Sequence, residues 1–511
     1  MANKTMNCDL VVLGAGGAGL IAAVKAYDVS DGKKIIVLEK AKKVGGATTF
    51  AHGIQISNSK WQIAAGATSQ NSPFPGGSSG PAQGGETSKE RVAGGPAKGG
   101  SPGRGSGADV SGQFFDWLVE KGDAEKYFKV ATQGAGMMGK GSISMPHRME
   151  EYKNHPDPSI GPGWMGTYFV EKMLECCKKL GIPVLTETRA KKFITDAKGN
   201  ITGVLADTKE GELQVNCKAC FIGAGGFGAD YERLQKMWPE DYNGKSIHRF
   251  SPPTNTGDCI NMAEEIGAAT DMSAAWVSIG GPAHHPYSYS IYRLMWQPEV
   301  MYVNLNGERW IDETKGLSIA SSSLLVMQPK AEMYAIADND LTETLGKRLI
   351  ANPPEESDIP ILTKFREDIA YEVSLDEKGT KGNRTKKADT LKELALKMDI
   401  DPKAFVAAVE RYNKFCENGQ DTDFGKKSEY LKAIRKPPFY AFWGQRFIQC
   451  THGGVVINEN TEVLDAKGKA MPGLFAGGDG VSFDGKGGGG LPGAVYNGYI
   501  GGITAGKYIS K

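Results

Sequence analysis

The tightest constraint on this chain is the run Cys8-Asp-Leu-Val-Val-Leu-Gly-Ala-Gly-Gly-Ala-Gly-Leu20. Four apolar residues, Leu10 to Leu13, read as a buried strand, and Gly14, Gly16 and Gly19 follow at G-x-G-x-x-G spacing before a helix-forming run. Gly14 permits a tight strand-to-helix turn, Gly16 lets the backbone approach a pyrophosphate, and Gly19 lets the helix close on the strand. The helix N-terminus adds the partial positive charge that holds phosphates. A second strand, Lys34-Ile-Ile-Val-Leu-Glu39, ends twenty residues past Gly19 in an acid suited to a ribose hydroxyl pair. A lone glycine turn is weak evidence. Strand, glycines, helix, second strand and terminal acid in that order predict an adenine dinucleotide site.

Composition narrows the class. At 511 residues the chain exceeds one ordinary core, so two or three domains are expected. Sixty basic against 59 acidic residues leave a formal charge of +1, which gives no electrostatic case for nucleic acid or an anionic membrane. No apolar run reaches the roughly 20 residues that span a bilayer. The N-terminus enters the first strand with neither an h-region nor a twin arginine, so a cytoplasmic protein is expected. Eight cysteines suggest no disulfide framework. Cys217-Lys-Ala-Cys220 lies in an apparent strand, Leu213 to Ile222, whose alternation would point the two sulfurs to opposite faces. It reads as a buried structural pair. No haem or paired zinc signature accompanies it, so no electron-transfer domain is expected in this chain.

Along the chain, Gly45-Gly-Ala-Thr-Thr49 follows the ribose strand and offers close backbone approach with two hydroxyls. Residues 66–110 are rich in Gly, Ser and Pro and read as a long surface loop. Helical periodicity marks Ser111 to Lys121 and Thr167 to Leu180. Strand-like runs at 183–187, 191–196 and 200–206, with a hairpin turn at Asp196-Ala-Lys-Gly-Asn200, form a β-meander. A second glycine turn, Gly223-Ala-Gly-Gly-Phe-Gly228, is followed by no acid-terminated strand, so separate NAD(P)H binding lacks support. From about residue 281 to 444 charged helices replace glycine turns, after an aromatic entrance that includes Tyr287, Tyr289, Tyr292, Trp296 and Tyr302. The expected fold is α/β: a Rossmann-type domain with β-meander (1–280 and 445–511), split by an inserted α+β cap (281–444).

The ordered set Gly14 to Gly19, Glu39, Gly45 to Thr48, Gly223 to Gly228, Asn255-Thr-Gly-Asp258, Gly307-Glu-Arg-Trp-Ile-Asp-Glu313, Thr451-His-Gly-Gly454 and Pro472-Gly-Leu-Phe-Ala-Gly-Gly-Asp479 resembles the fumarate reductase flavoprotein and 3-ketosteroid dehydrogenase superfamily. The resemblance covers nearly the whole chain outside 66–110. It implies non-covalent FAD, with Glu39 on the adenosine ribose, Asp479 on the ribityl side, and the helix starting near Gly493 facing the isoalloxazine. The cofactor-binding set it implies is Gly14, Gly16, Gly17, Ala18, Gly19, Glu39, Lys40, Gly45, Gly46, Ala47, Thr48, Gly53, Ala190, Gly225, Asp258, Gly478, Asp479, Gly493, Ala494 and Val495.

The same resemblance bears on the substrate. Fumarate reductases hold a dicarboxylate with arginine and histidine. Here Gln449 and Cys450 precede Thr451, Gly489 or Gly490 replaces the final arginine, and Thr314-Lys-Gly316 follows Glu313. The ending Leu491-Pro-Gly-Ala-Val-Tyr496 is closer to the ketosteroid dehydrogenase branch, where the glycine amide polarises a ketone, a tyrosine moves the α-proton and hydride passes to or from flavin N5. Gly493 is the matching amide. Tyr292, Tyr302 and Tyr496, with Tyr287 and Tyr289, are the candidate bases, and the family's own C-terminal tyrosine is replaced by Lys486-Gly-Gly-Gly-Gly490. His52 and His452 could face the flavin, or bond to backbone. His284-His285 lacks a third metal ligand at usable spacing, so no metal is expected. The leading expectation is an FAD-dependent oxidoreductase of a C–C bond beside a carbonyl, on a hydrophobic, steroid-like substrate. A fumarate reductase-like ene-reductase fed by an electron-transfer protein or quinone, and a flavoprotein relay or binding subunit without its own substrate, are the alternatives.

Overall fold

The computed structural model describes residues 4–51, 53–54, 59–64, 107–122, 129–130, 143–144, 166–237, 248–249, 251–280, 289–315, 324–325, 327–352, 362–379, 385–483, 486–487 and 490–511. The chain forms two compact units. One comprises Met1–Asp230, Ser251–Ala275 and Cys450–Lys511, and the other Tyr231–Phe250 and Trp276–Gln449. Residues 231–250 thus join the second unit rather than the first.

The first unit is built on a six-stranded sheet in the order Glu462–Leu464, Ala470–Ala476, Ala219–Ile222, Leu10–Leu13, Ile35–Leu38, Val184–Leu185. The last five are mutually parallel, and only Glu462–Leu464 runs against its neighbour. Every residue of Leu10–Leu13, Ile35–Leu38 and Ala219–Ile222 is buried, as expected of a parallel sheet covered on both faces. A second sheet carries the meander: Arg189–Thr195, Ile201–Thr208 and Gly211–Asn216 are antiparallel, and Lys4–Asn7 adds a parallel edge. The hairpin turn forms because the Asp196 side chain accepts the amides of Lys198 and Asn200.

The single strand expected over 213–222 is two strands in two sheets. The chain breaks at Cys217 and Lys218, whose amides turn to the carbonyls of Thr202 and Asp9. Cys217 lies in this link instead of an alternating strand. Cys217 and Cys220 are both buried, and burial pushes the Cys217 thiol up to about 12 and holds that of Cys220 well above its usual value. Protonated thiols are poor nucleophiles and metal ligands.

Two helices close one face. Gly17–Val29 and the C-terminal Gly490–Ile509 meet along small residues four apart. A Cβ on Gly498 would lie 2.7 Å from the Ala18 carbonyl oxygen, one on Gly502 3.0 Å from that of Ala22, and one on Gly506 2.9 Å from that of Ala26. The helices also share a core with Phe114, Trp117 and Phe169, and Lys25 Nζ sits 4.6 Å from the Tyr499 ring centre and 5.2 Å from that of Trp117.

The second unit is a sheet with a core on each face. Met301–Asn304 pairs antiparallel with Glu332–Asp338, which pairs with residues 439–445. Alternation sorts the side chains: Tyr302, Met333, Ala335 and Ala337 enter one core, and Met301, Val303, Tyr334 and Ile336 the other. A buried charge lattice joins Arg309 bidentately to Glu313 at 2.8 and 2.7 Å and to Asp421 at 2.8 Å, while Lys426 lies 3.4 Å from Glu313. Two cations face two anions, which makes the lattice electrostatically complete and structural. Among the described residues no helix is long and apolar enough to cross a membrane.

Candidate FAD site

The glycine turn closes on itself before it opens to anything else. Gly14 has φ +98°, and a Cβ there would sit 2.5 Å from the Gly223 carbonyl oxygen. A Cβ on Gly19 would sit 1.9 Å from the Gly14 carbonyl oxygen. Only glycine permits either approach. Gly16 caps the helix, whose first turn has no acid, so the N-terminal partial charge stays available to an anion. The Gly17 amide donates to Thr48 Oγ1 at 2.9 Å, and the Gly45 amide to the Ala15 carbonyl at 2.9 Å. Gly45 and Gly46 take φ of +113° and +50°. Gly16, Gly17, Gly45, Gly46, Ala47 and Thr48 are therefore brought together.

Glu39 is 9 % exposed. One carboxylate oxygen accepts from Ala15 at 2.9 Å and the other from Ala41 at 2.8 Å. Burial raises its pKa, with these amides opposing. Each oxygen keeps a lone pair for a further donor.

Asp258 is placed differently from its expected role as a direct cofactor ligand. It opens the helix Asp258–Glu265, and its carboxylate is held by Arg189 at 2.9 and 3.1 Å and by Lys40 at 3.0 Å. Lys40 and Asp258 both bond Thr256. Burial alone would raise the Asp258 pKa; the bonds from Arg189 and Thr256 and the Lys40 charge outweigh it and hold it at about 2. The pair Lys40 and Asp258 thus works as a strut, with Arg189 as a member that spacing could not reveal. Ala190, beside Arg189, is in the meander strand and buried.

The far end of the chain completes the cradle. Gly225 has φ +75° and a Cβ there would lie 2.9 Å from Asn255 Oδ1; one on Gly480 would lie 2.4 Å from the Gly225 carbonyl oxygen. Gly478 has φ +88°. Asp479 is 8 % exposed, and burial pushes its pKa up to about 6 against the N–H donated by Gly490. Its Oδ1 is buried and has no partner among the described residues. A buried carboxylate oxygen left open in a glycine cradle fits a hydroxyl-bearing ligand.

The C-terminal helix begins at Gly490, so the Pro492-Gly-Ala turn expected to open it lies inside it. In a regular helix the amide of the fourth residue, here Gly493, reaches back along the helix. The Gly490 amide is given to Asp479. Ala494 and Val495 are buried in the shared core. Gly53 pairs in a short strand with residues 143–144.

A model of the family described as "FAD binding domain" matches residues 9–72 and 148–489. The chain belongs to this FAD-binding family. FAD is its cofactor, and the open Asp479 Oδ1, the acid-free helix N-terminus at Gly17 and the two-oxygen grip of Glu39 are what its hydroxyls and pyrophosphate require. The vinyl phenol reductase of Lactiplantibacillus plantarum is 27 % identical over 92 % of this chain and 89 % of its own length. A fumarate reductase (cytochrome) of Shewanella frigidimarina is 27 % identical over 98 % of this chain and 78 % of its own. In fold the chain resembles the 3-ketosteroid-Δ4-(5α)-dehydrogenase of Rhodococcus jostii RHA1, with a TM-score of 0.65 and 20 % identity over 99 % of this chain and 100 % of that one.

The expected tyrosines separate. Tyr302 is wholly buried, and its hydroxyl donates to the Met295 carbonyl at 2.6 Å. This removes it from the candidates: its proton is committed inside the core. Tyr496 lies on the FAD-unit helix, its pKa raised by burial and then by Glu459 in an exposed turn. Tyr292 packs on Trp296 at 4.7 Å, beside buried Arg293. Burial raises the Tyr292 pKa and the Arg293 charge opposes it. His52, His284, His285 and Tyr287, the side chains of Tyr289 and His452, and most of the 66–110 loop lie outside the described residues.

Proposed function

We propose that this FAD-dependent oxidoreductase of CH–CH groups acts on a C=C bond conjugated to a single oxygen, in a neutral hydrophobic substrate such as a cyclic enone or a vinyl phenol. The observation that carries this reading is Gly490. Where the resemblance expects a carboxylate-holding arginine, Gly489 or Gly490 stands, and Gly490 opens the C-terminal helix with its amide serving Asp479. Gln449 and Cys450 likewise stand ahead of Thr451 in place of histidine. A dicarboxylate would bring two charges to positions that supply no cation, and an unpaired desolvated charge costs several kcal/mol. A neutral substrate avoids that cost.

FAD, when bound, supplies or takes up the hydride at N5. The protein's part is to stabilise charge and move one proton. The first turn of Gly490–Ile509 carries no acid, so the helix N-terminus favours negative charge nearby. A tyrosine is the proton-transfer group in this reading, with Tyr292 and Tyr496 as its candidates. Electrons come from a separate protein or a quinone. Both relatives described above are named for reductases of unsaturated compounds, and one of those compounds, vinyl phenol, is neutral.

Anaerobic reoxidation of the reduced holoprotein by 4-vinylphenol, by a 3-ketosteroid enone and by fumarate tests the proposal. Either neutral substrate should reoxidise the flavin at least about a hundredfold faster than fumarate. Fumarate reacting as fast as both would overturn it.

A further inference from the structure

We infer that Thr451 is a positioning residue for the FAD site, acting by fixing the peptide of Asp479 against the second glycine turn. Thr451 is 1 % exposed. Its Oγ1 accepts the Phe227 N–H at 3.2 Å and donates to the Asp479 carbonyl at 3.3 Å. A hydroxyl has one proton and two lone pairs, so it makes both bonds at once. The two partners stand 224 and 28 residues away in sequence, and no other side chain among the described residues is shown joining both turns.

The packing leaves the hydroxyl little freedom. A Cβ on Gly226 would come within 1.7 Å of Thr451 Oγ1, and one on Gly480 within 2.4 Å of the Gly225 carbonyl oxygen. Backbone therefore lies directly on the hydroxyl from one side and the Asp479–Gly480 turn lies on the glycine turn from the other. With its peptide held here and its side chain held by the Gly490 amide, Asp479 has one oxygen, Oδ1, that stays open and aimed. Thr451 touches no reacting atom in this assignment. It sets where the open oxygen points, and through it how firmly FAD is kept. The inference rests on the FAD site and not on the substrate, so a flavin readout is independent of which alkene reacts.

The test compares Thr451→Val and Thr451→Ser in the holoprotein. Valine keeps the shape but leaves the Phe227 amide and the Asp479 carbonyl buried without a partner, whereas serine keeps both bonds. FAD release, followed as flavin fluorescence appearing after dilution, should be roughly tenfold faster or more in the valine variant and close to the parent rate in the serine variant. Parent-like release from the valine variant, or equally fast release from both, overturns the inference. If the valine variant is isolated without FAD, the two unpaired groups themselves lower its unfolding midpoint, so the deciding reading is titration of both variant apoproteins with FAD. Weaker affinity in the valine variant alone supports the positioning role, and parent-like affinity in it overturns the inference.

Discussion

The Ala15 amide donates to Glu39 Oε2 at 2.9 Å, which ties the glycine turn to the end of the second strand. The same carboxylate reaches Ala41 through Oε1 at 2.8 Å. Glu39→Gln keeps the size but turns an NH2 group toward one of those two amides, so one acceptor becomes a donor facing a donor. FAD affinity should fall at least about tenfold, equivalent to about 1.4 kcal/mol. Titration of the apoprotein with FAD, read by quenching of flavin fluorescence, checks this.

Asp479 makes FAD binding depend on pH. Burial raises its pKa from 3.8 to about 6, so its contribution to apoprotein stability is fully present below the ordinary value and is lost as pH rises through about 6. A hydroxyl of FAD donating to the open oxygen favours the ionised form. Binding therefore releases a proton below about pH 6, and affinity should weaken as pH falls from about 7 to 5, by at most tenfold per unit. Asp479→Asn should bind FAD more weakly and flatten that slope. A variant whose affinity keeps the parent pH dependence assigns the titration elsewhere.

Residues that act on their near neighbours were legible in the sequence, and residues that act at a distance were not. The strand Leu10–Leu13, the glycines after it and Glu39 were readable because one strand–turn–helix–strand unit dictates their spacing, and the Ala15 bond to Glu39 ties its two ends. The break at Cys217 was hidden, since both flanking runs are apolar and a change of sheet leaves no local mark. Arg189 and Thr451 were hidden for a related reason: their partners come from remote segments, and spacing carries no information about them. Sequence does not distinguish Tyr302 from a catalytic tyrosine, because a buried tyrosine and a catalytic one share the same aromatic neighbours. Only the Met295 carbonyl on its hydroxyl separates them.

The Gly498, Gly502 and Gly506 row does leave a readable signal in the sequence, small residues at every fourth position. Its energetics turn on two opposed effects. Alanine in a helix interior is favoured over glycine by about 1 kcal/mol. A Cβ on Gly498, however, would meet Ala18 backbone atoms at 2.7 and 3.0 Å, and backbone cannot swing away as a flexible side chain can. Overpacking costs about 1–3 kcal/mol, so Gly498→Ala should be neutral to destabilising and Gly498→Val clearly destabilising. Thermal unfolding of the two variants should rank them in that order, both at or below the parent.

The Asp258 strut supplies a stability effect with a defined pH window. Its carboxylate is held at about 2, below the ordinary 3.8. A group with a depressed folded-state pKa contributes stability above its unfolded value and loses it as pH falls through the folded one. The contribution is therefore complete above about pH 4 and gone near pH 2. Its size must be discounted for solvent: the Arg189 side chain is 61 % exposed, whereas Lys40 is 24 % and Asp258 14 % exposed. The exposed Arg189 pair is worth a fraction of a kcal/mol, and the Lys40 bond carries more of the total. Asp258→Asn should lower stability by about 1 kcal/mol at neutral pH, more than Arg189→Ala does. The deficit should shrink as pH approaches 2, where the parent's own carboxylate is protonated. Salt should narrow the Arg189→Ala effect more than the Asp258→Asn effect, because screening acts first on exposed charge. Urea unfolding at neutral and acid pH, each at low and high salt, measures all of this. An Asp258→Asn deficit that is the same at both pH values would show that the strut holds by shape and not by charge.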